Sequence, residues 1–310
     1  MKVSIAMPAY KAKYLKKAIE SILNQSYKDF ELIIVNDESP EDLSIIVNEF
    51  KDERIKYYVN PKNLGKINLV DNWNLCLSYS CGEYFVLASD DDIYHEDFLR
   101  DVISLLDKYP ETNIAHARAA LIDKNDNIIS ISPSCPEFES CLDFIHQRLF
   151  NNRLFFAPDF IYKTEVIKKH GGFVKFPLAW FSDEATWYML IADSKGICCT
   201  NDIRFFFRQS DINISTSSYK TETKLEATIL FEKWLQDFIK EIKPLTDIDL
   251  IQQNYIKENM YKYINEHIYY LLCESKYKSF FNILFFKHLY FKRLSLNQKI
   301  KATILKLIKL

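Results

Sequence analysis

Three consecutive acids, Asp90, Asp91 and Asp92, are the residues whose type and spacing most directly suggest chemistry in this sequence. They follow the short apolar run YFVLA (84–88), which is typical of a buried strand. Neighbouring carboxylates repel each other, so a fold that keeps them together needs a compensating charge. A divalent cation such as Mg²⁺ is the simplest compensation, because hard ions take oxygen ligands and often bind through carboxylates and substrate phosphates. The alternative is a solvated acidic turn that caps the following helix.

The elements that must position these acids alternate between strand and helix along the first hundred residues. The predicted strands are 3–7, 30–35, 55–59 and 84–88, and the predicted helices are 15–23, 43–50 and 67–79. This alternation predicts an α/β fold with a doubly wound, mainly parallel, Rossmann-like sheet and nucleotide-type ligands at the strand ends. Asp37 follows the second strand, so we expect it to lie near the three acids and to accept a hydrogen bond from a base or a ribose. The alternative for Asp37 is a helix-capping turn.

Composition excludes several classes of protein. The chain has 310 residues, a net charge of −2 and a charged fraction of 26%, which predicts one globular domain or one domain with an appendage, and no nucleic-acid partner. Seven cysteines without a CxxC pair argue against a zinc site or a disulfide framework and fit a reducing cytosol. His95, His116 and His170 are predicted to be ordinary helix or strand residues. The amino terminus predicts no signal peptide, and no apolar stretch is long enough to span a bilayer.

Five segments in order give the chain a family resemblance: VSIAMPAY, SILNQSY, FELIIVNDES, NPKNLG and EYFVLASDDDI. Together they resemble a family 2 glycosyltransferase of the GT-A fold. The resemblance implies that a nucleotide-sugar donor is held by residues of the first two strand ends and of the NPKNLG segment. These residues are Pro8, Ala9, Tyr10, Asp37 and Asn63.

The resemblance also assigns the three acids. They match the family's DxD-type motif, which binds a divalent metal, Mn²⁺ or Mg²⁺, and the diphosphate of the donor. The family pattern D-x-D-D falls on 89–92, so Asp91 is expected to be the principal metal ligand, with Asp92 next, while Asp90 and Asp91 contact the donor. A D-x-D interpretation through Asp90 and Asp92 stays open.

The second half of the sequence resembles the family at the catalytic acid. The family places an acidic general base shortly after a G-G-F segment, and Asp183 fits that position, with Glu184 as the second candidate. An inverting transfer needs such a base to take the proton of the acceptor hydroxyl. Without the resemblance, the two acids would simply be the first turn of a helix capped by Ser182.

Other segments resemble the family's closing strand and basic loop. These are Arg208 to Ser210 and Asn213 to Ser215, with Arg208 expected near the diphosphate or, alternatively, as a surface arginine paired with an acid. Glu38 replaces a common glycine and Lys11 a common asparagine. The Q-x-x-R-W motif of processive synthases is absent, which suggests one sugar added per binding event.

The carboxyl-terminal part is expected to be a helical appendage. We predict a catalytic domain at 1–218, with a nucleotide-binding half at 1–110 and an acceptor half at 111–218, followed by a helical region at 219–310. No Asp or Glu follows Glu274, and the last helices are basic and aromatic-rich. Such helices can lie in a membrane interface, or they can pack on the catalytic domain with a solvated basic face.

The resemblance therefore predicts a non-processive, inverting, metal-dependent glycosyltransferase of the hexosyltransferase class. The expected donor is a UDP-sugar, and the expected acceptor is a glycan or lipid-linked saccharide of a bacterial surface polysaccharide such as O-antigen, lipopolysaccharide or capsule. The expected location is cytoplasmic, with peripheral contact at the inner membrane left open. A sugar-nucleotide pyrophosphorylase would need a glycine-rich first loop, which Pro8 to Lys11 does not offer. The remaining alternative is a non-catalytic, membrane-associated protein that binds nucleotide sugar.

Overall fold

The computed structural model describes residues 1–151, 153–209, 220–286 and 289–308, which form two compact units. The first unit comprises residues 1–175 and the chain from Ser182 through the last strand of the sheet. The second comprises Phe176–Phe181 and the helices from Thr221 onwards.

The first unit is built on a ten-stranded sheet. Its strands are β1 (Val3–Ala9), β2 (Phe30–Asn36), β3 (Ile55–Val59), β4 (Tyr84–Leu87), β5 (Ile93–Tyr94), β6 (Ile114–Ile122), β7 (Ile128–Ile131), β8 (Phe138–Glu139), β9 (Phe160–Lys163) and β10 (Ile197–Arg208). The main order is β3-β2-β1-β4-β9-β6-β10-β5, with β7 beside β6 and β8 beside β10.

Strand direction divides this sheet into two parts. Strands β3, β2, β1 and β4 are all parallel, as the βα alternation predicts. Beyond β4 the sheet is mixed, because β9 runs antiparallel to both β4 and β6 while β10 is parallel to β6. The predicted α/β class is therefore confirmed, and the second half adds antiparallel pairs that local sequence patterns do not encode.

Helices of the first unit cover the sheet. They are α1 (Leu15–Leu23), α2 (Leu43–Val47), α3 (Gly65–Tyr79), α4 (Phe98–Lys108), α5 (Cys141–Phe150), α6 (Thr164–Lys169) and α7 (Ser182–Ala192), with a 3₁₀ turn at Ala157–Asp159. The apolar faces of α1 and α4 share one hydrophobic core with β1, β2 and β4. That core fixes where the carboxyl ends of these strands lie.

Two features of the sheet do not follow from apolar patterns alone. The apolar segments on either side of Thr200 form one strand, β10, whose pairing with β6 has an irregular register between Cys199 and Ile203. The two-residue strand β5, absent from the prediction, follows the three acids directly and pairs with β10. The acidic segment therefore crosses from β4 to the other end of the sheet.

The second unit is helical. Its helices are α8 (Thr221–Glu241), α9 (Asp247–Glu274), α10 (Tyr277–Phe286), α11 (Leu289–Lys292) and α12 (Leu296–Ile308). The apolar residues Leu225, Phe231 and Ile264 are buried, as are Phe280 and Ala302. A Thr246–Asp249 capping box begins α9. Among the helices in the described part of the chain, none is long and apolar enough to cross a membrane.

Candidate active site

The carboxyl ends of β1, β2 and β4 lie side by side at one edge of the sheet. Ala9, the last residue of β1, is in register with Asn36, the last residue of β2. The backbone N–H of Asp37 then donates to the Ala9 carbonyl at 2.9 Å, and that of Ala88 donates to the Ala6 carbonyl at 2.8 Å. The chain therefore leaves the sheet at Asp37 and at Ser89 on either side of Pro8 and Ala9.

Asp37 is buried and anchors the loop after β3. Its Oδ1 accepts hydrogen bonds from Asn60 Nδ2 (2.8 Å) and from the Leu64 backbone (2.9 Å), and its Oδ2 accepts from the Gly65 backbone (2.8 Å). A Cβ at Gly65 would lie 3.0 Å from Asp37 Oδ2. Of about four lone-pair sites on a carboxylate, three are thus already used by the protein. The sequence predicted a contact with ligand and did not foresee this anchoring.

Glu38 and Asn63, two residues near Asp37, form hydrogen bonds that stabilise the same loop. Glu38, which stands where the family often has glycine, has a φ of 53°, the left-handed region that favours glycine. Its Oε2 accepts from the Asn63 backbone N–H at 2.8 Å. The Asn63 side chain in turn accepts from the Lys66 backbone at 2.6 Å, which stabilises the start of α3.

Replacing Asp37 with asparagine should loosen the loop at 60–65. The amide can accept at only one atom, so its NH₂ group must face a buried donor, and a buried donor without a partner costs about 1–3 kcal/mol. We expect the free energy of unfolding to fall by that amount, with faster hydrogen exchange at the Leu64 and Gly65 amides. Asp71→Asn, which alters an exposed ion pair of α3 with Lys175, is the matched control and should leave both measurements unchanged. Equal exchange in the two variants would contradict the anchoring role.

Asp90 is a second anchor. Its Oδ2 accepts from the backbone N–H groups of Tyr10 (2.7 Å) and Lys11 (2.8 Å), so it holds the segment that follows β1. Burial and then the charge of Asp91 raise its pKa. Tyr10 itself has an exposed side chain.

Asp91 and Asp92 have different surroundings. The Asp91 carboxylate keeps 12% of its surface exposed, and its Oδ2 lies 3.4 Å from Lys11 Nζ. Asp92 is fully buried and accepts hydrogen bonds from the Ser89 hydroxyl and from the Arg208 backbone N–H (2.7 Å). Burial, followed by the charge of Asp91, raises the pKa of Asp92 to about 8. The accessible acid of the three is therefore Asp91.

A hard divalent cation fits the donor set of this segment. Asp91 and Asp92 offer carboxylate oxygens, and a cation beside them would offset the repulsion between their charges. Among the described side chains, one group of three His, Cys, Asp or Glu residues has ligand atoms within 4.8 Å of one another, and that group does not include Asp91 or Asp92. A cation held here would thus need further oxygen ligands from a bound diphosphate.

Arg208 is buried inside the first unit. Its guanidinium donates to the backbone carbonyls of Asp91 (Nε, 2.7 Å) and Asp123 (Nη1, 3.0 Å) and lies 2.5 Å from Asp126 Oδ1. It also stacks 4.3 Å from the centre of the Tyr14 ring. The alternative of a surface arginine is wrong, because the side chain has no exposed surface. Arg208 supports the backbone of the acidic segment, and its predicted neighbours Asn213 to Ser215 lie outside the described residues.

Asp183 and Glu184 begin α7 but have different partners. Glu184 is buried, pairs with Arg148 at 3.0 Å and accepts from the Tyr188 hydroxyl at 2.7 Å. Asp183 is half-buried, its Oδ1 accepts from the Glu184 backbone N–H at 2.9 Å, and it forms no ion pair with the described residues. Burial raises its pKa to about 6, and the charge of Glu184 contributes. Of the two acids, Asp183 has the properties of a base.

Sequence reasoning missed Asp159, a buried acid in the 3₁₀ turn before β9. Its Oδ2 accepts a weak hydrogen bond from the Phe156 backbone at 3.3 Å, and its Oδ1 has no hydrogen-bond partner among the described residues. The Asp159 carboxyl is close enough to both Asp92 and Asp183 for their charges to interact. A lone acid within the apolar segment FFAPDFI was the signal that could have drawn attention to it.

Comparisons with known proteins identify the family of the chain. Residues 4–171 match the family described as "Glycosyl transferase family 2". The "GalNAc(5)-diNAcBac-PP-undecaprenol beta-1,3-glucosyltransferase" of Campylobacter jejuni is 26% identical over 92% of this chain and 87% of its own length. The matches to two other curated relatives span 57% and 32% of their lengths.

Solved structures share the fold. S. aureus TarS 1–349 in complex with UDP-GlcNAc superposes with a TM-score of 0.65 at 19% identity, covering 97% of this chain and 79% of that one. The mannosyltransferase PcManGT from Pyrobaculum calidifontis, in complex with GDP-Man and Mn²⁺, has a TM-score of 0.58 at 13% identity, covering 99% and 87%. At these identities the likeness carries the fold alone.

Proposed function

The chain belongs to glycosyl transferase family 2, and from that premise we propose that it moves one sugar from a nucleotide-sugar donor to a glycan or lipid-linked acceptor, with inversion at the anomeric carbon. The observation that carries this proposal is the acidic segment at the strand ends, where Asp90 holds the Tyr10 and Lys11 amides and Asp91 stays accessible beside Lys11. The interaction of the Asp159 charge with Asp92 and Asp183 supports a common site for the acidic segment and the candidate base. A leaving diphosphate and an attacking hydroxyl need that arrangement.

Donor binding is assigned to the edge formed by β1, β2 and β4. Pro8, Ala9 and Tyr10 would contact the nucleotide, with Asp37 and Asn63 shaping the loop beside it. Asp90 contributes by holding the Tyr10 and Lys11 amides. Lys11 Nζ, beside Asp91, offers a positive charge to the diphosphate.

A bound Mn²⁺ or Mg²⁺ would be held by Asp91 and Asp92 and would offset the charge that develops on the leaving diphosphate. Both carboxylates must be ionised for this role, and burial of Asp92 opposes its ionisation. The backbone N–H of Arg208 hydrogen-bonds to Asp92 Oδ1 and favours the charged form. The buried Arg208 guanidinium thus serves the site indirectly, by fixing the Asp91 carbonyl.

The base is assigned to Asp183. Its Oδ1 is engaged by the Glu184 backbone, which leaves Oδ2 to take the proton of the acceptor hydroxyl as that oxygen attacks the anomeric carbon. A pKa of about 6 keeps the carboxylate mostly ionised at pH 7 and makes it a stronger base than an ordinary aspartate. Glu184 is unsuited to this step because Arg148 and Tyr188 already occupy its two oxygens.

The proposed donor and acceptor rest on what similar proteins are named for or bind. A UDP-sugar is the proposed donor, since one fold neighbour is described in complex with UDP-GlcNAc. A lipid-linked saccharide of a surface polysaccharide is the proposed acceptor, since a relative matched over most of its length is named for a PP-undecaprenol substrate. A cytoplasmic location belongs to the same proposal. The alternative is a non-catalytic protein that binds nucleotide sugar without turnover.

The last helix of the second unit, α12, has exposed residues relevant to membrane contact. In α12, Leu296, Ile300 and Ile304 are exposed at four-residue spacing, with Lys299 half-buried and Lys301 exposed between them. An amphipathic basic helix of this kind suits the interface of an anionic membrane. Peripheral contact stays a prediction, which sedimentation with anionic vesicles would test.

Asp91→Asn should weaken donor binding only when the metal is present. Removing a charged ligand interaction costs about 1.5–3 kcal/mol, or roughly 10–100-fold in Kd. The measurement is calorimetric binding and nucleotide release with UDP-, GDP-, dTDP- and CMP-sugars, each with Mn²⁺ or EDTA. Wild type should bind and slowly hydrolyse one donor with Mn²⁺, and Asp91→Asn should resemble wild type in EDTA.

Asp107→Asn, an exposed acid of α4, is the matched control and should behave as wild type. Binding without release in wild type, even with acceptor saccharides, would favour the non-catalytic alternative. No binding of any nucleotide sugar would overturn the proposed function.

A further inference from the structure

A second cluster of metal-ligand residues lies away from the acidic segment. His116 of β6 and Cys199 of β10 are register partners in neighbouring parallel strands, and Cys135 comes from the segment between β7 and β8. One ligand atom from each of these three residues lies within 4.8 Å of the other two. Their exposed fractions are 1%, 1% and 7%, respectively. The fold therefore gathers ligands that sequence spacing did not indicate.

The ring of His116 is oriented for coordination. Its Nδ1 lies 3.4 Å from the Ala117 carbonyl, so the tautomer with the proton on Nδ1 donates there. Its Nε2 is buried and has no hydrogen-bond partner in the described part of the chain. The rings of Phe155 and Phe160 pack against the imidazole at 4.9 and 5.1 Å between centres. A histidine that binds a metal usually donates its other ring N–H to a carbonyl or a carboxylate, as Nδ1 can do here.

The chemistry of the cluster selects a soft metal. One imidazole and two thiolates suit Zn²⁺ or Cu(I), whereas Mg²⁺ and Mn²⁺ prefer oxygen. Two thiolates and Zn²⁺ also sum to zero charge, which limits the cost of burial. We propose that His116, Cys135 and Cys199 form a buried Zn²⁺ site that is separate from the donor-binding edge.

Tetrahedral zinc needs a fourth ligand, and among the described residues no other His, Cys, Asp or Glu ligand atom lies within 4.8 Å of all three. Asp159 is buried, its Oδ1 has no hydrogen-bond partner among the described residues, and its charge interacts with those of Cys135 and Cys199. A carboxylate is an accepted zinc ligand, and tetrahedral coordination needs four.

Zinc would act here as a structural link. The three ligands join β6, β10 and the segment that leads into β8, and binding free energy at such a site adds to folding stability. A Cys135–Cys199 disulfide is the competing chemistry, and it would leave His116 without a role. Neither Cys135 nor Cys199 is in a disulfide in the structure.

The test uses the full-length protein, expressed with zinc and purified under a reductant that does not bind metal. Elemental analysis should find about one zinc per chain, and Co²⁺ substitution should give thiolate-to-cobalt charge-transfer absorption. Cys135→Ser, Cys199→Ser and His116→Gln should lose the bound zinc and the absorption. Cys198→Ser is the matched control, since Cys198 is buried next to Cys199 on the same strand and its Sγ faces Thr112.

Thermal melts supply a second measurement. Zinc at about 100 times its Kd should raise the Tm of metal-free wild type and Cys198→Ser by roughly 5–10 °C, and that rise should disappear in the ligand variants. The cobalt spectrum of wild type tests the proposal even where a variant fails to fold. Reduced wild-type protein that binds neither Zn²⁺ nor Co²⁺ would overturn the site, as would a Cys135–Cys199 disulfide in protein that never holds zinc.

Discussion

Replacing Asp183 with asparagine should lower kcat by about 10²–10⁴-fold while leaving donor affinity unchanged. The asparagine amide keeps the size of the side chain and can still accept the Glu184 N–H, but it cannot take a proton. A positioned general base contributes that range of rate enhancement. The measurement is steady-state kinetics with the donor found by the binding panel, together with calorimetric donor binding.

The pH profile separates this role from a structural one. Since burial raises the pKa of Asp183 to about 6, the carboxylate is ionised above pH 6 and protonated below it. Wild-type kcat should therefore fall about tenfold per pH unit below 6, and Asp183→Asn should lack that limb. Asp193→Asn, just beyond the end of α7, is the control and should keep the wild-type profile.

Glu184→Gln distinguishes the two candidate acids. Its carboxylate pairs with Arg148, so its replacement should lower the Tm more than kcat. If Glu184→Gln instead abolished turnover and the acidic limb while Asp183→Asn kept both, the base would be Glu184.

Arg153→Met should lower the free energy of unfolding by about 3–5 kcal/mol at pH 8. Arg153 Nη1 lies 2.6 Å from both carboxylate oxygens of Glu139, and both side chains are buried. Removing one partner of a buried pair leaves the other charge uncompensated. Urea unfolding measures the loss, and the linear extrapolation gives the difference between the two proteins.

The loss should depend on pH. Burial raises the pKa of Glu139 to about 7, and Arg153 opposes that rise. Without Arg153 the pKa of the folded state rises further, so the folded variant keeps a proton that the unfolded chain releases. Stability linked to this raised pKa is present at low pH and is lost as pH rises. The deficit of Arg153→Met should therefore shrink between pH 8 and pH 5.

Two further variants serve as controls for this pair. Lys108→Met removes the partner of Glu137 in an exposed ion pair and should leave stability nearly unchanged. Adding Glu139→Leu to Arg153→Met should restore most of the loss, because no buried charge remains. A deficit that stays constant with pH and persists in the double variant would point to lost packing instead.

Local patterns were sufficient for the first half of the fold. Strands β1 to β4 and helices α1 and α3 follow from apolar periodicity and from turn residues close by in sequence. Pairing of β9 between β4 and β6 depends on contacts between residues about 44 to 79 positions apart, and no local signal encodes such contacts.

The sequence predicted the motifs of the candidate site but not the contacts that each residue makes. The sequence placed acids at the ends of β2 and β4 and the resemblance favoured Asp91 as the metal ligand, but neither indicated that Asp90 anchors the Tyr10 and Lys11 amides. The Arg148 partner of Glu184 lies 36 residues away and was not foreseen. His116, Cys135 and Cys199 come from separate segments, so a search for regular spacing could not find them.

The late position of β9 in the chain leaves β4 without its second neighbour during part of synthesis on the ribosome. Strand β4 acquires β1 as a neighbour as soon as it is translated, but its other neighbour, β9, is completed about 75 residues later. At roughly 5–20 residues translated per second, one side of β4 stays unpaired for about 4–15 s. An edge strand built from Tyr84, Phe85, Val86 and Leu87 can pair with other chains. Yield in the cell should therefore depend on how that edge is protected during translation.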